Sequence, residues 1–155
     1  MKKALMVLCG LLLVSGLYAF EKQTTFGVNF GIMTDDSFSF DPLLWTAGAE
    51  IDLQLGQYLM LSPEVTLVGN GFKFKEFLLF PGAVLNFTPS NFFVGGGLVK
   101  GIYIGSGETF VSDDFALKLN AGLFSRNLKL TAYVIMDFNS LFKNTVVGAT
   151  LGFRL

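Results

Sequence analysis

The sequence predicts an all-β chain, a closed antiparallel eight-stranded up-and-down barrel that spans a membrane. Three observations lead there. Hydrophobic residues make up 52 % of the 155 and the mean hydropathy is +0.57, above the roughly 45 to 50 % apolar content of soluble domains. Beyond the N-terminus no run reaches the roughly 18 to 20 apolar residues of a spanning helix; the apolar residues are dispersed among 18 glycines and 18 phenylalanines. They also alternate with small or polar residues at a period of two, in segments of about ten residues, the length a tilted strand needs to cross a bilayer.

Met1 to Ala19 reads as a cleavable signal peptide. Lys2 and Lys3 give the positive start, Ala4 to Val14 the apolar middle, and Gly16-Leu17-Tyr18-Ala19 the cleavage region, with the cut after Ala19. Cys9 is not a lipidation site, because Leu8 precedes it and further apolar residues follow. Residues 20–155 form the barrel domain. That remainder has no cysteine and no histidine, which removes disulfides, thiolate chemistry and the commonest metal ligands. Taking Lys2 and Lys3 from the eleven basic residues leaves nine against twelve acidic, a formal charge of −3. Nucleic acid is not an expected partner.

The first strand starts at Thr24, with Phe26, Val28, Phe30 and Ile32 on one face and Gly27, Asn29, Gly31 and Met33 on the other. Residues 34–44 break the pattern with Asp35, Asp36, Asp41 and Pro42, which are loop formers. Trp45 to Leu55 alternates without a fault: Trp45, Ala47, Ala49, Ile51, Leu53 and Leu55 outward, Thr46, Gly48, Glu50, Asp52 and Gln54 inward. Gly56-Gln57 is a two-residue turn. Tyr58 to Val68 turns Ser62, Glu64, Thr66 and Val68 inward, and Pro63, on the outward face, demands a bulge or local irregularity.

After a loop at 69–75, Glu76 to Phe87 is apolar on both faces, and Thr88 to Asn91 is a turn. Phe92 to Gly105 carries Gly95-Gly96-Gly97, which predicts a bulge or bend and leaves the face of Lys100 open. A polar loop is expected from Gly105 to Asp114. Phe115 to Phe124 points Lys118, Asn120 and Gly122 inward, and Leu128 to Phe138 does the same with Lys129, Thr131, Tyr133, Ile135 and Asp137. The last strand, Thr145 to Leu155, sets Thr145, Val147, Ala149, Leu151, Phe153 and Leu155 against Val146, Gly148, Thr150, Gly152 and Arg154.

Open sheet edges do not survive in lipid, so the eight strands close. Connections at Gly56, Pro89 and Arg126 are short, while those at 34–44, 69–75, 105–114 and 139–144 are longer, the asymmetry of a membrane barrel with its longer loops outside. Trp45, Phe115 and Phe138 fall at the long-loop ends, and Tyr58, Phe87, Phe92 and Phe153 at the short-turn ends, as two interfacial girdles.

Leu61-Ser62-Pro63-Glu64 in the third strand, Gly95 to Gly97 in the fifth, and Leu151-Gly152-Phe153-Arg154-Leu155 at the end, with the signal peptide and the barrel pattern, resemble the small outer-membrane β-barrels of Gram-negative-type bacteria. That superfamily includes the OmpA transmembrane domain, OmpX, OmpW and the "outer membrane protein beta-barrel domain" group. The resemblance implies an outer-membrane location, periplasmic termini, contact with outer-membrane lipid, and a last strand in which Phe153 is read by the barrel assembly machinery. Such chains usually end on an aromatic; here Phe153 stands two positions before Leu155 on the same face.

Small barrels of this kind that are enzymes work with a histidine, which is absent here, so no catalytic activity and no cofactor are expected. The carboxylates Glu50 and Glu64 fit an internal polar network better than a catalytic pair. Asp35, Asp36 and Asp41 fit a solvated loop better than a divalent-cation site. Gly105-Ser106-Gly107 is no phosphate loop, because no helix with a lysine follows. An eight-stranded interior is just wide enough for side chains to fill. Glu50, Asp52, Glu64, Lys118, Lys129, Asp137 and Arg154 are expected to plug it: Lys118 with Asp137, Asp52 with Lys129 and Arg154, and Glu50 beside Glu64 sharing a cation or proton, with Lys100 the candidate cation if it turns inward. The expected function is a monomeric structural or surface-interaction barrel; the alternative is a narrow conduit for small or hydrophobic solutes, as in OmpW-like proteins.

Overall fold

In the computed structural model the chain is described for residues 24–34, 44–71, 76–105, 107–137 and 145–155. The signal-peptide reading, Asp35, Asp36, Asp41, Ser106 and Phe138 lie outside the described residues. Eight strands follow one another: β1 (Thr24–Met33), β2 (Leu44–Gln54), β3 (Leu59–Asn70), β4 (Glu76–Phe87), β5 (Phe92–Gly105), β6 (Glu108–Phe124), β7 (Leu128–Asp137) and β8 (Val146–Arg154). Each pairs antiparallel with the next, and β8 closes on β1 to make a barrel. The described residues include no helix long and apolar enough to cross a membrane; this chain crosses with strands.

The alternation sorts side chains as the period of two requires. Phe30, Val94, Leu98, Leu119, Leu130 and Leu151 stand exposed on the outer wall. Thr46, Glu50, Asp52, Ser62, Asn86, Lys118, Asn120 and Lys129 are buried inside. A soluble barrel would reverse this arrangement, whereas lipid rewards it. Crossing pair by pair from Met33, the ladder passes through Gly148, Tyr133, Asn120, Gly95, Asn86 and Met60 and reaches Gln54, next to the Leu53 that pairs with Thr24. One lap thus descends the whole of β1, so the strands are steeply tilted and an inward side chain faces strands far from its own.

Glycines make room for inward side chains of the neighbouring strands. Gly122 lies opposite Phe93, and Gly148 opposite Tyr133. A Cβ on either glycine would meet the aromatic ring. Outside, Trp45 covers Gly69 in the same manner, donates its indole N–H to the Gly71 carbonyl at 2.6 Å and packs edge-on against Phe77, 6.3 Å away. At the other end Tyr58 and Phe87 form a tilted pair at 6.1 Å, and with the exposed Phe92 and Phe153 they make the short-turn girdle.

Several local expectations are corrected. The β2–β3 turn has three residues, 56–58, because Leu55 N–H bonds the Leu59 carbonyl at 2.8 Å. At Pro63 the expected local irregularity is present, a gap in the β2–β3 ladder opposite Ile51 and Asp52, while the register is unchanged on both sides and no bulge forms. Gly95 to Gly97 pair regularly with both neighbours; no bulge forms there, because small residues were needed for clearance and not for a bend. The bulge lies on β6: Lys100 pairs with Phe115 and Ile102 with Val111, so β6 has two extra residues opposite Gly101. The stretch 105–114 is therefore mostly strand, a hairpin in which Gly105 pairs with Glu108 and Gly107 takes a positive φ of 85°.

Candidate functional site

The lumen is built in two layers. Near the short-turn end, the inward positions of β2, β3, β6, β7 and β8 carry Asp52, Glu50, Glu64, Lys118, Lys129 and Arg154. Lys129 lies between two acids, its Nζ 2.9 Å from Glu50 Oε2 and 3.0 Å from Asp52 Oδ1. Arg154 Nη2 reaches the other oxygen of Asp52 at 3.4 Å. Lys118 pairs with Glu64. Three carboxylates thus face three cations in an enclosed space, which balances the charge where an unpaired ion would be costly.

Neutral groups complete the network. Ser62 donates to Asp52 Oδ1 at 2.7 Å, and Asn86 Nδ2 donates to Ser62 Oγ at 3.1 Å. Each cation also lies over an aromatic ring: Lys129 over Phe93 at 5.1 Å, Lys118 over Tyr133 at 4.7 Å, and Arg154 over Phe124 at 4.9 Å. The sequence reading turned Tyr133 inward but gave none of these rings a cation. The alternation that puts Gly95 inside also puts Phe93 inside, but pairing it with Lys129 of a non-adjacent strand requires the closed barrel.

The expected partners change in three places. Lys118 is not placed against Asp137, because the β6–β7 register sets Asp137 opposite Ala116, two residues further along; Lys118 crosses the lumen to Glu64 instead. Glu50 and Glu64 do lie opposite each other on β2 and β3, yet they share no single cation, since each has its own lysine. Lys100 is outside: it shares a face with Phe115 and holds its ammonium 4.9 Å from that ring.

Above the charges, toward the long-connection end, the interior turns apolar. Met33, Val68, Val99, Tyr133 and Ile135 form a buried cluster, with Leu44, Leu78, Phe80, Ala116 and Val146 packed on it. The group includes residues from all eight strands. Beyond this layer, at the rim, lies a cavity of about 280 Å³ whose lining includes Phe80, Ile135, Val146, Asp114 and Asp137. No group of three or more metal-ligating side chains occurs among the described residues. Phe153 stands exposed on the outer wall near the end of β8, paired with Val28 and Leu128.

No protein-family model matches the chain, and no curated protein matches its sequence. Solved structures resemble it in fold. Neisserial surface protein A superposes with a TM-score of 0.54 at 15 % identity, covering 85 % of this chain and 94 % of that one. The N-terminal β-barrel domain of Pseudomonas aeruginosa OprF gives 0.53 at 16 %, covering 86 % and 98 %. A de novo designed transmembrane β-barrel gives 0.55 at 13 %, covering 87 % and 98 %. The fold is that of the small eight-stranded outer-membrane barrels. A designed barrel matches as well as the natural ones, so the likeness is no guide to the task.

Proposed function

We propose that this chain, with the fold of the small outer-membrane barrels, is a closed outer-membrane barrel with a structural or surface-interaction role and no catalytic activity of its own. The observation that carries the reading is the apolar layer of Met33, Val68, Val99, Tyr133 and Ile135 across the lumen. An ion or polar solute entering from either end meets a packed, largely apolar stratum, and desolvating it there is costly. With even strand number both termini lie on the short-turn side, placed in the periplasm after removal of residues 1–19, and the longer connections face outward. Outer-membrane lipid surrounds the wall, the assembly machinery engages the last strand through Phe153, and the barrel is a monomer.

Planar-bilayer recording of the refolded protein tests the closed lumen. The expected record has no steady conductance. Replacing Val68 and Val99 together by serine should introduce one, because the layer would then admit water. A stable, porin-sized conductance from the wild type would instead put the narrow-conduit reading first.

A further inference from the structure

We propose that Lys100 and a furrow running down from it on the outer wall bind one lipid with an anionic phosphate headgroup, the phosphate at the ammonium and an acyl chain in the furrow. The inference rests on the reading of this wall as lipid-covered and adds a specific ligand to it. Among the described residues that pair regularly and face outward, Lys100 is the only charged one. A cation facing hydrocarbon is costly at the bilayer midplane and tolerated near its surface. Lys100 lies eight residues beyond Phe92 of the short-turn girdle. At the rise and tilt of barrel strands its Cα stands roughly 20 Å above that girdle, near the top of an apolar band about 25 Å tall. From there its flexible stem carries the ammonium to the headgroups. The ammonium rests 4.9 Å from the Phe115 ring centroid, and among the described residues no carboxylate pairs with it.

The furrow follows from the register. Lys100 stands opposite Pro81, between the pairs Leu79–Ile102 and Gly82–Val99; Pro81 pairs with Val65, and Val65 with Ala49. This row descends toward the short-turn end with the stagger of the barrel. Its outward side chains below the lysine are a proline, a valine and an alanine, all short. The rows on either side carry longer ones, Leu79 and Leu67 above, Ile51 and Phe26 below. Two hollows of about 350 and 380 Å³ result, and they run together at Ala49 and Val65, which line both. Glu50 and Glu64 also border the lower hollow, but their carboxylates are held inside the lumen by Lys129 and Lys118. Three strand spacings, roughly 14 Å, separate Lys100 from Ala49, so a chain lying along the row has its charged end at the lysine.

Charge and depth select the ligand. Residues 20–155 carry a formal charge of −3, so an anion is drawn to this ammonium and not to the protein at large. A lipid phosphate sits at the level where the ammonium emerges, and a charge-assisted hydrogen bond joins the two. The acyl chain of the same lipid fills hollows whose lining would otherwise lose packing contacts. A soluble anion meets the same cation in water and leaves the furrow unfilled.

Trp45, the one tryptophan of the chain, reports on the site, since it stands two residues from Ala47 of the upper hollow on the same outward face. The refolded protein in phosphatidylcholine bilayers is titrated with lipids brominated in the acyl chain, which quench tryptophan on contact. Brominated phosphatidic acid should show a relative binding constant at least threefold above that of brominated phosphatidylcholine. Lys100→Gln should bring the ratio to unity and Lys100→Arg should keep it, while Arg126→Gln, in the exposed β6–β7 turn, should leave it unchanged. Excess glycerol 3-phosphate should displace no lipid. Equal constants in the wild type, or an undiminished ratio in Lys100→Gln, overturns the proposal. Displacement by glycerol 3-phosphate would reveal a site for soluble phosphates and overturn the lipid as ligand. Heat-modifiable migration reports insertion of each variant; if Lys100→Gln does not insert, Lys100→Met serves for the same comparison. A wild type that inserts and shows no preference refutes the site alone, whereas one that does not insert refutes the lipid-facing wall.

Discussion

Lys129 on β7 crosses the lumen to Glu50 on β2, 79 positions away in sequence, and holds it at 2.9 Å with its side chain 3 % exposed. The same ammonium bonds Asp52 at 3.0 Å. One cation therefore ties its own strand, through two carboxylates of β2, to a strand that is not its neighbour.

Removing that cation should be costly. Lys129→Met leaves Glu50 without its lysine and Asp52 with Arg154 and the Ser62 hydroxyl, and the expected loss is about 3 to 5 kcal/mol of folding stability. Urea titration of the refolded barrel in liposomes measures it. Adding Glu50→Gln should recover part of the loss, since the orphaned charge is then gone. A loss under about 1 kcal/mol for the single variant would class the pair with solvent-exposed ones and mean that the lumen is open to water.

Three consecutive glycines should respond in alternation. A Cβ at Gly95 would meet the Asn86 amide oxygen and the Leu85 carbonyl, and one at Gly97 would meet the Ala83 carbonyl; at Gly96 the nearest atom is a flexible Leu119 Cδ2 at 3.2 Å. Alanine at Gly95 or Gly97 should destabilise by about 1 to 3 kcal/mol through overpacking, and Gly96→Ala should be nearly silent. Uniform tolerance across all three in thermal or urea melts would contradict the inward placement of 95 and 97.

The outer wall makes its own test. Ala149 is exposed on the lipid side and Thr150 is buried on the other. Ala149→Arg should cost about 2 to 4 kcal/mol if its depth is near the bilayer midplane, while Thr150→Ser should change little. Equal response at the two positions in folding titrations would show that β8 is not half in lipid.

Topology in the cell is checked by labelling. A cysteine replacing Glu108, in the β5–β6 hairpin, should react with an impermeant maleimide on intact cells, and one replacing Ser125, in the β6–β7 turn, should react only after the outer membrane is opened. The opposite pattern would invert the barrel.

Faces and strands were legible in the sequence by itself, because a strand's side-chain period of two does not depend on its neighbours. The runs 45–55 and 115–124 name their own inward and outward residues, and the 145–155 run does the same; closure follows from the impossibility of an open edge in lipid. Glu76 to Phe87, apolar on both faces, showed where that signal fails: Asn86 and Val84 are inward only by their pairing with Met60 and Ser62. What the tertiary structure alone decided is which inward residues meet. The stagger of the closed ladder carries one lap down the length of β1, so partners are set by tilt and not by adjacency. Lys118 therefore finds Glu64 on β3 and not Asp137 on the next strand, Phe93 comes under Lys129, and the bulge on β6 hollows the rim opposite Gly101. Local periodicity holds no record of that stagger, since it is a property of the whole barrel.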